Sequence, residues 1–171
     1  MLLIFSVLFA LVSIISIVFM CKNANFDLMR TINNFLQAAL QINLPVLAVD
    51  AMLAKKQDYI DHQQDQMFEG IKSDGKSITP PYAPLTILIK ESKGDPYDRV
   101  TLKDTGNFYN AIFIDKRSDG FLIDSKDSKA NELQEKYSDE IFGLADLRKQ
   151  DYTDIVKPVF VQSVVDGLNK V

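Results

Sequence analysis

Tryptophan is absent, and cysteine and histidine occur once each, as Cys21 and His62. One cysteine excludes an internal disulfide and any cysteine-rich zinc site. One histidine leaves little from which to build a multi-histidine metal centre or a Ser-His-Asp triad. Positive charge is also in short supply. Nineteen Lys and Arg stand against twenty-three Asp and Glu, a net charge of −4 with a pI near 5.0. No Lys/Arg cluster stands out, which argues against a nucleic-acid binder. The chain has no G-x-x-x-x-G-K-[ST] loop, no G-x-G-x-x-G, no G-x-S-x-G and no H-E-x-x-H, so the familiar nucleotide, hydrolase and zinc-protease signatures are missing.

What is present first is a run without charge. Residues 2–20 are apolar apart from Ser6, Ser13 and Ser16, and a helix of that length crosses the hydrocarbon core of a bilayer. Three readings stand. The run is a membrane anchor, with Lys22 and Arg30 on its flank favouring a cytoplasmic domain behind it. It is a signal peptide, although a basic start and a small-x-small cleavage site are lacking, and Val18-Phe19-Met20 does not suit lipidation of Cys21. Or translation begins later, at Met20 or Met29. The chain is thus divided into a hydrophobic segment, residues 1–21, and a single domain over 25–171, as its length of 171 residues suggests.

Residues 25–42 predict a helix capped by Asn25, with Phe26, Met29, Ile32, Phe35, Leu36, Ala39 and Leu40 at steps of three and four. Asn43 caps a second, longer helix that tolerates Pro45 in its first turn and runs to about Glu69. Its stretch 55–66 is strongly polar, so one narrow stripe is expected to pack and the other faces to stay wet. Asp58, Asp61, His62 and Asp65 share a face there. With no second histidine to complete a metal site, a solvated surface is the expectation. Residues 70–77 read as a loop.

The organising stretch is 78–114. Pro80-Pro81-Tyr82 predicts an extended entry. Residues 85–89 fit a strand or a short helical turn equally well, and 90–99 read as a charged loop. Asp104-Thr105-Gly106 spells the tripeptide of aspartic proteases, but only once and without the strands that surround it there. It reads as a turn around a φ > 0 glycine. A hydrolase using Asp104, with Asp95 or Asp98, is the enzymatic alternative. Residues 108–124 give the clearest β signal, alternating apolar positions around the Asp-Gly of Arg117-Ser118-Asp119-Gly120, and predict a hairpin. A short helix over 131–137, an apolar loop 141–144 folded back on the sheet, and a last helix over 150–168 follow. Pro158 is expected to kink that helix or to mark its first turn. The fold class is α+β: N-terminal helices, a small antiparallel sheet with a hairpin near 108–124, and a C-terminal helix.

Taken in order, several of these pieces resemble one family. They are Pro81-Tyr82-Ala83-Pro84-Leu85-Thr86, the lysine-rich step from Lys90 to Lys93, Leu102-Lys103-Asp104-Thr105-Gly106-Asn107-Phe108, the apolar hairpin behind it, Phe142-Gly143, and a final helix opened by Pro158. The pattern is similar to that of the small virion-morphogenesis proteins of long-tailed bacteriophages, the tail-completion, head–tail joining and minor tail proteins. The likeness covers about residues 50–168. The chain departs from it in lacking a second Ser-Pro before the threonine, in Tyr82 where many relatives carry tryptophan, and in residues 1–20.

The resemblance implies a structural protein with no catalytic residue, cofactor or metal. Its partners would be further copies of itself in a ring and other phage tail or neck proteins, with no nucleic acid, and it would be assembled in the host cytoplasm into the virion. Loops 73–79 and 90–99 are the expected contact surfaces, although ordinary solvated connections account for them as well. The alternative is a membrane-anchored binding protein held by residues 2–20, the one part through which a membrane contact is expected.

Overall fold

The computed structural model describes residues 27–118 and 120–169. The hydrophobic segment 2–20, Cys21, the Asn25 cap, the alternative start at Met20 and Asp119 of the hairpin turn lie outside the described residues. Among the described residues seven α-helices and one two-stranded antiparallel sheet make up the chain, so the architecture is α+β with N-terminal helices and a C-terminal helix. The chain divides into two compact units, Met1–Asn43 with Val164–Val171, and Leu44–Ser163.

In the first unit α1 runs over Asp27–Gln41, and the three-to-four spacing of its apolar residues accounts for the helix. Only Ala38 is buried. Leu28, Met29, Ile32, Phe35, Leu36 and Leu40 are each more than half exposed. No single helix among the described residues is long and apolar enough to cross a membrane. The pair Asp27–Gln41 with Leu44–Ala54 passes that test only when its two helices are counted together, by length and composition.

The second unit begins with α2, Leu44–Ala54, which carries Pro45 in its first turn as expected. The long helix expected from Asn43 to Glu69 is in fact two. Lys55 leaves helical geometry with ψ 27°, and α3 restarts over Lys56–Phe68. As expected, α3 packs one stripe, Tyr59, Ile60, Gln63, Gln66 and Met67, and leaves Lys56, Gln57, Asp61 and Asp65 exposed, but the stripe includes two glutamines. Phe68 ends it, and Gly70 takes φ 75° so that the chain can turn back. A side chain there would meet Arg99 Cβ at 3.1 Å.

Residues 85–89 resolve as a helix, α4, Pro84–Lys93. Pro84 suits its first turn, since its missing N–H would have had no partner there, and Gly94 ends it in the left-handed region. Lys90 to Lys93, expected in a loop, form the last turn. The expected β start at 108 is also corrected. Gly106 at φ 88° opens a single turn of helix, α5, Asn107–Asn110, and the strand begins only at Ile112. Strand β1, Ile112–Arg117, pairs with β2, Gly120–Ser125, in the register Ile112↔Ser125, Ile114↔Ile123 and Lys116↔Phe121.

A lone hairpin is marginal in water. This one is held because Ile114 and Ile123 pack against both core clusters. The first cluster gathers Met67, Ile78, Val100, Phe108, Tyr109 and Ile141. The second gathers Ala51, Tyr59, Leu144, Tyr152 and Val156, with Tyr59 set edge-on to Phe121 at 5.7 Å and to Tyr152 at 5.0 Å.

Helix α6, Ala130–Tyr137, matches the expected short helix, and Asp139–Ile141 forms a 3₁₀ turn. The apolar loop after it packs inward as expected, with Ile141 and Leu144 almost wholly buried. Helix α7, Asp146–Leu168, starts four residues earlier than expected. Pro158 lies in its interior and so does not open it, which removes one piece of the motif resemblance.

Candidate functional site

Three of the pieces that carried the resemblance meet at one cleft, whereas the hairpin, Phe142-Gly143 and Pro158 do not line it. This cleft, of about 550 Å³, is lined by Tyr82, by Ile89 and Lys90 of α4, by the 102–108 segment, by residues 127–129 and by Leu133 and Tyr137 of α6. Beside it two tyrosines grip one residue, Thr101, by its amide and its carbonyl. The Thr101 N–H donates to the Tyr82 hydroxyl at 2.9 Å, and the Tyr109 hydroxyl donates to the Thr101 carbonyl. Gln64 Nε2 donates to the Tyr109 carbonyl at 3.0 Å and ties α5 to α3. Burial pushes the Tyr109 phenol well above its ordinary value, with Tyr82 and Asp65 adding to the shift, so it acts as a neutral donor. Leu102, next along, holds φ 54°, a left-handed value that costs a non-glycine residue energy and is sustained by these bonds.

Helix α4 forms one wall, and its amphipathicity is inverted. Lys90 is buried at 7% exposure. Its ammonium donates to the Lys103 carbonyl at 2.7 Å and lies 5.2 Å from the Tyr82 ring centre. Leu85 and Leu88 face outward instead, 69% and 63% exposed, while Ile89 lines the cleft and is 46% exposed. A buried ammonium needs partners, and here a carbonyl and an aromatic face supply them. Lys93, Lys103 and Lys129 also border the cleft, against Asp104 and Asp127, so it is locally positive in a chain of net charge −4.

Asp104-Thr105-Gly106 forms a bend that ends on Gly106 at φ 88°. It leads into α5, not into a strand. Asp104 is exposed and ion-paired with Lys93 at 3.6 Å, a contact worth little in water. Asp95 and Asp98 do not line the cleft, and Asp98 pairs with neighbouring Arg99. Asp58, Asp61, His62 and Asp65 stay along α3, where Gln57 Nε2 donates to Asp61 at 2.8 Å. Among the described residues no three His, Cys, Asp or Glu side chains come together to hold a metal.

The loops expected as contact surfaces are tied down at points. The Ser73 N–H donates to the Glu140 carbonyl at 2.8 Å, Ile78 is buried, and Arg99 Nε donates to the Phe68 carbonyl at 2.9 Å with its guanidinium 5.5 Å from that ring.

Sequence reasoning missed the two glutamines that position the far side of this unit. Gln63 Nε2 donates to the Ile141 carbonyl at 2.9 Å, and its Oε1 accepts from the Gly143 N–H at 2.7 Å. Gln66 Nε2 donates to the Gly143 carbonyl at 3.0 Å, and its Oε1 accepts from the Ala145 N–H at 2.6 Å. Each primary amide thus stands in for a strand neighbour and satisfies the backbone of 141–145. The available signal was phase: Gln63 and Gln66 fall in step with Tyr59, Ile60 and Met67 on the apolar stripe.

No protein-family model, no curated protein and no solved structure matches this chain.

Proposed function

We propose that this protein is a non-enzymatic structural component of a bacteriophage virion, a ring-forming subunit acting in tail completion or head–tail joining. The observation that carries the reading is the convergence just described. Tyr82 of the Pro-Tyr-x-Pro-Leu step, Lys90 and Lys93 after it and the Leu-x-x-Thr-Gly-x-Phe segment are separate in sequence and line one cleft. The helix at its wall turns leucines outward, which suits burial against another protein and not a solvated surface. The reading assigns no catalytic residue, cofactor, metal or nucleic acid. Partners are further copies of the chain and neighbouring tail or neck proteins, and the place of action is the virion, assembled in the host cytoplasm.

Peptide mapping of purified phage particles by mass spectrometry tests it. The expected result is this chain in the particle, with its N-terminus near Met20 or Met29. Recovery only from host membranes, with residues 2–20 intact, would count against it.

That second result belongs to the other reading, a membrane-tethered binding protein. It is favoured by the uncharged run 2–20 and by the six exposed apolar side chains of α1. A tethered chain resists extraction from membranes at alkaline pH, and release into the soluble fraction would dismiss it.

A further inference from the structure

We infer that the cleft is a binding site for a ligand with a carboxylate head and an apolar body, the carboxylate settling on the ammonium of Lys90. The ground is an unbalanced charge. Lys90 is 7% exposed yet lines the cleft, and it forms no ion pair among the described residues. Its two partners, a carbonyl and an aromatic ring, are neutral. They orient the ammonium without cancelling its charge, and a buried charge left uncompensated is costly. An ammonium has three N–H donors, and the Lys103 carbonyl takes one of them.

The surroundings add to the excess. Four lysines and two aspartates line the cleft. Lys93 and Asp104 neutralise each other at 3.6 Å, which leaves Lys90, Lys103 and Lys129 against Asp127 alone. The Asp127 carboxylate is engaged by the backbone, accepting from the Lys129 N–H at 2.8 Å. The Lys103 ammonium meets aromatic faces, 5.5 Å from the Phe68 ring centre and 5.8 Å from that of Tyr109. It too forms no ion pair among the described residues.

The body of the ligand follows from the walls and the volume. Ile89, Leu102, Phe108 and Leu133 line the cleft together with Tyr82. A carboxylate fills only a small part of 550 Å³, and the remainder is space for an apolar group. The site is set before anything arrives. The Lys103 carbonyl holds Lys90 at 2.7 Å and the Thr101 N–H holds the Tyr82 hydroxyl at 2.9 Å, so little ordering opposes binding. A free acid and an acidic side chain beside an apolar one on another protein present the same chemistry to it.

The test uses the full chain in a mild nonionic detergent, labelled at its isoleucine and leucine methyls and followed by NMR at Ile89, Leu102 and Leu133. Two acids are titrated at neutral pH, 4-phenylbutyrate as the free form and the peptide N-acetyl-Phe-Glu-Leu-amide as the side-chain form. Each is compared with its neutral counterpart, 4-phenylbutanamide and the same peptide with glutamine. At least one acid is expected to shift these methyls with a Kd at least about tenfold below that of its amide. Lys90→Met is expected to abolish that difference. Binding of the free acid alone supports the site and assigns it to a small molecule, and tighter binding of the peptide supports it and assigns it to a partner's side chain. No binding, equal binding of acids and amides, or a preference for acid that survives Lys90→Met overturns it. Should K90M lose its circular-dichroism spectrum, the acid–amide comparison on the wild-type chain decides alone. Each of these outcomes leaves the virion reading in place, since peptide mapping of the particles tests that separately.

Discussion

Helices α3 and α4 invert each other. On α3 two glutamines are fully buried among tyrosine, isoleucine and methionine, whereas on α4 two leucines face outward while a lysine is buried. What decides the difference is the backbone each helix meets. Helix α3 lies against an irregular strap, 141–145, whose peptide groups have no strand beside them, and glutamine is long enough to serve a carbonyl and an amide at once. Helix α4 lies against a loop whose Lys103 carbonyl takes the one donor that reaches it. Side-chain polarity alone does not set burial; unsatisfied main-chain groups nearby do.

The contrast can be broken most severely at Gln63. Gln63→Leu keeps the volume but leaves the Ile141 carbonyl and the Gly143 N–H buried without partners. It is expected to cost about 2–4 kcal/mol in urea unfolding, whereas a solvated α3 face predicts almost no change. The core around α3 is also expected to weaken at alkaline pH. Burial raises the phenols of Tyr59 and Tyr109, and that of Tyr152 to about 12 from an ordinary 10.0. Below pH 10 both folded and unfolded chains keep these protons, so the stability is fully present. Above it the unfolded chain releases them first, and stability falls as pH rises towards the folded values. Urea midpoints measured from pH 8 to 12 should decline beyond 10, and Y109F/Y152F should flatten the decline.

On α4 the expected effects are smaller. Lys90→Met keeps the aliphatic stem and removes the donor to Lys103, at about 1–2 kcal/mol. Leu88→Ser should change unfolding of the isolated chain by less than about 0.5 kcal/mol. A larger loss there would mean that the face is already packed within one copy.

Long periodic segments were legible in the sequence, and short ones were not. Helix α7, α6 and the hairpin stood out because alternation or helical spacing persisted over enough residues, with Asp-Gly marking the turn. Five apolar residues at 85–89 left helix and strand undecided, and Pro84 at the first turn with Gly94 at the end settles the helix. Phe108-Tyr109-Asn110 fits the start of a strand and one helical turn equally well, and Gly106 at φ 88° selects the turn. The cleft was half visible. Its motifs could be named from the residues, but the inward turn of Lys90 depends on a backbone carbonyl thirteen residues away, which no side-chain pattern announces.

The glutamine strap has a consequence for exchange with solvent. The amide protons of Gly143 and Ala145 are held by side chains of α3, 80 and 79 residues earlier in the chain, and not by a neighbouring strand. They can be replaced by deuterium only when the strap leaves α3, so two loop amides acquire the slow exchange expected of a core helix. In a labelling time course they would serve as internal clocks for the opening of this unit, reporting from a stretch where fast exchange is the usual expectation.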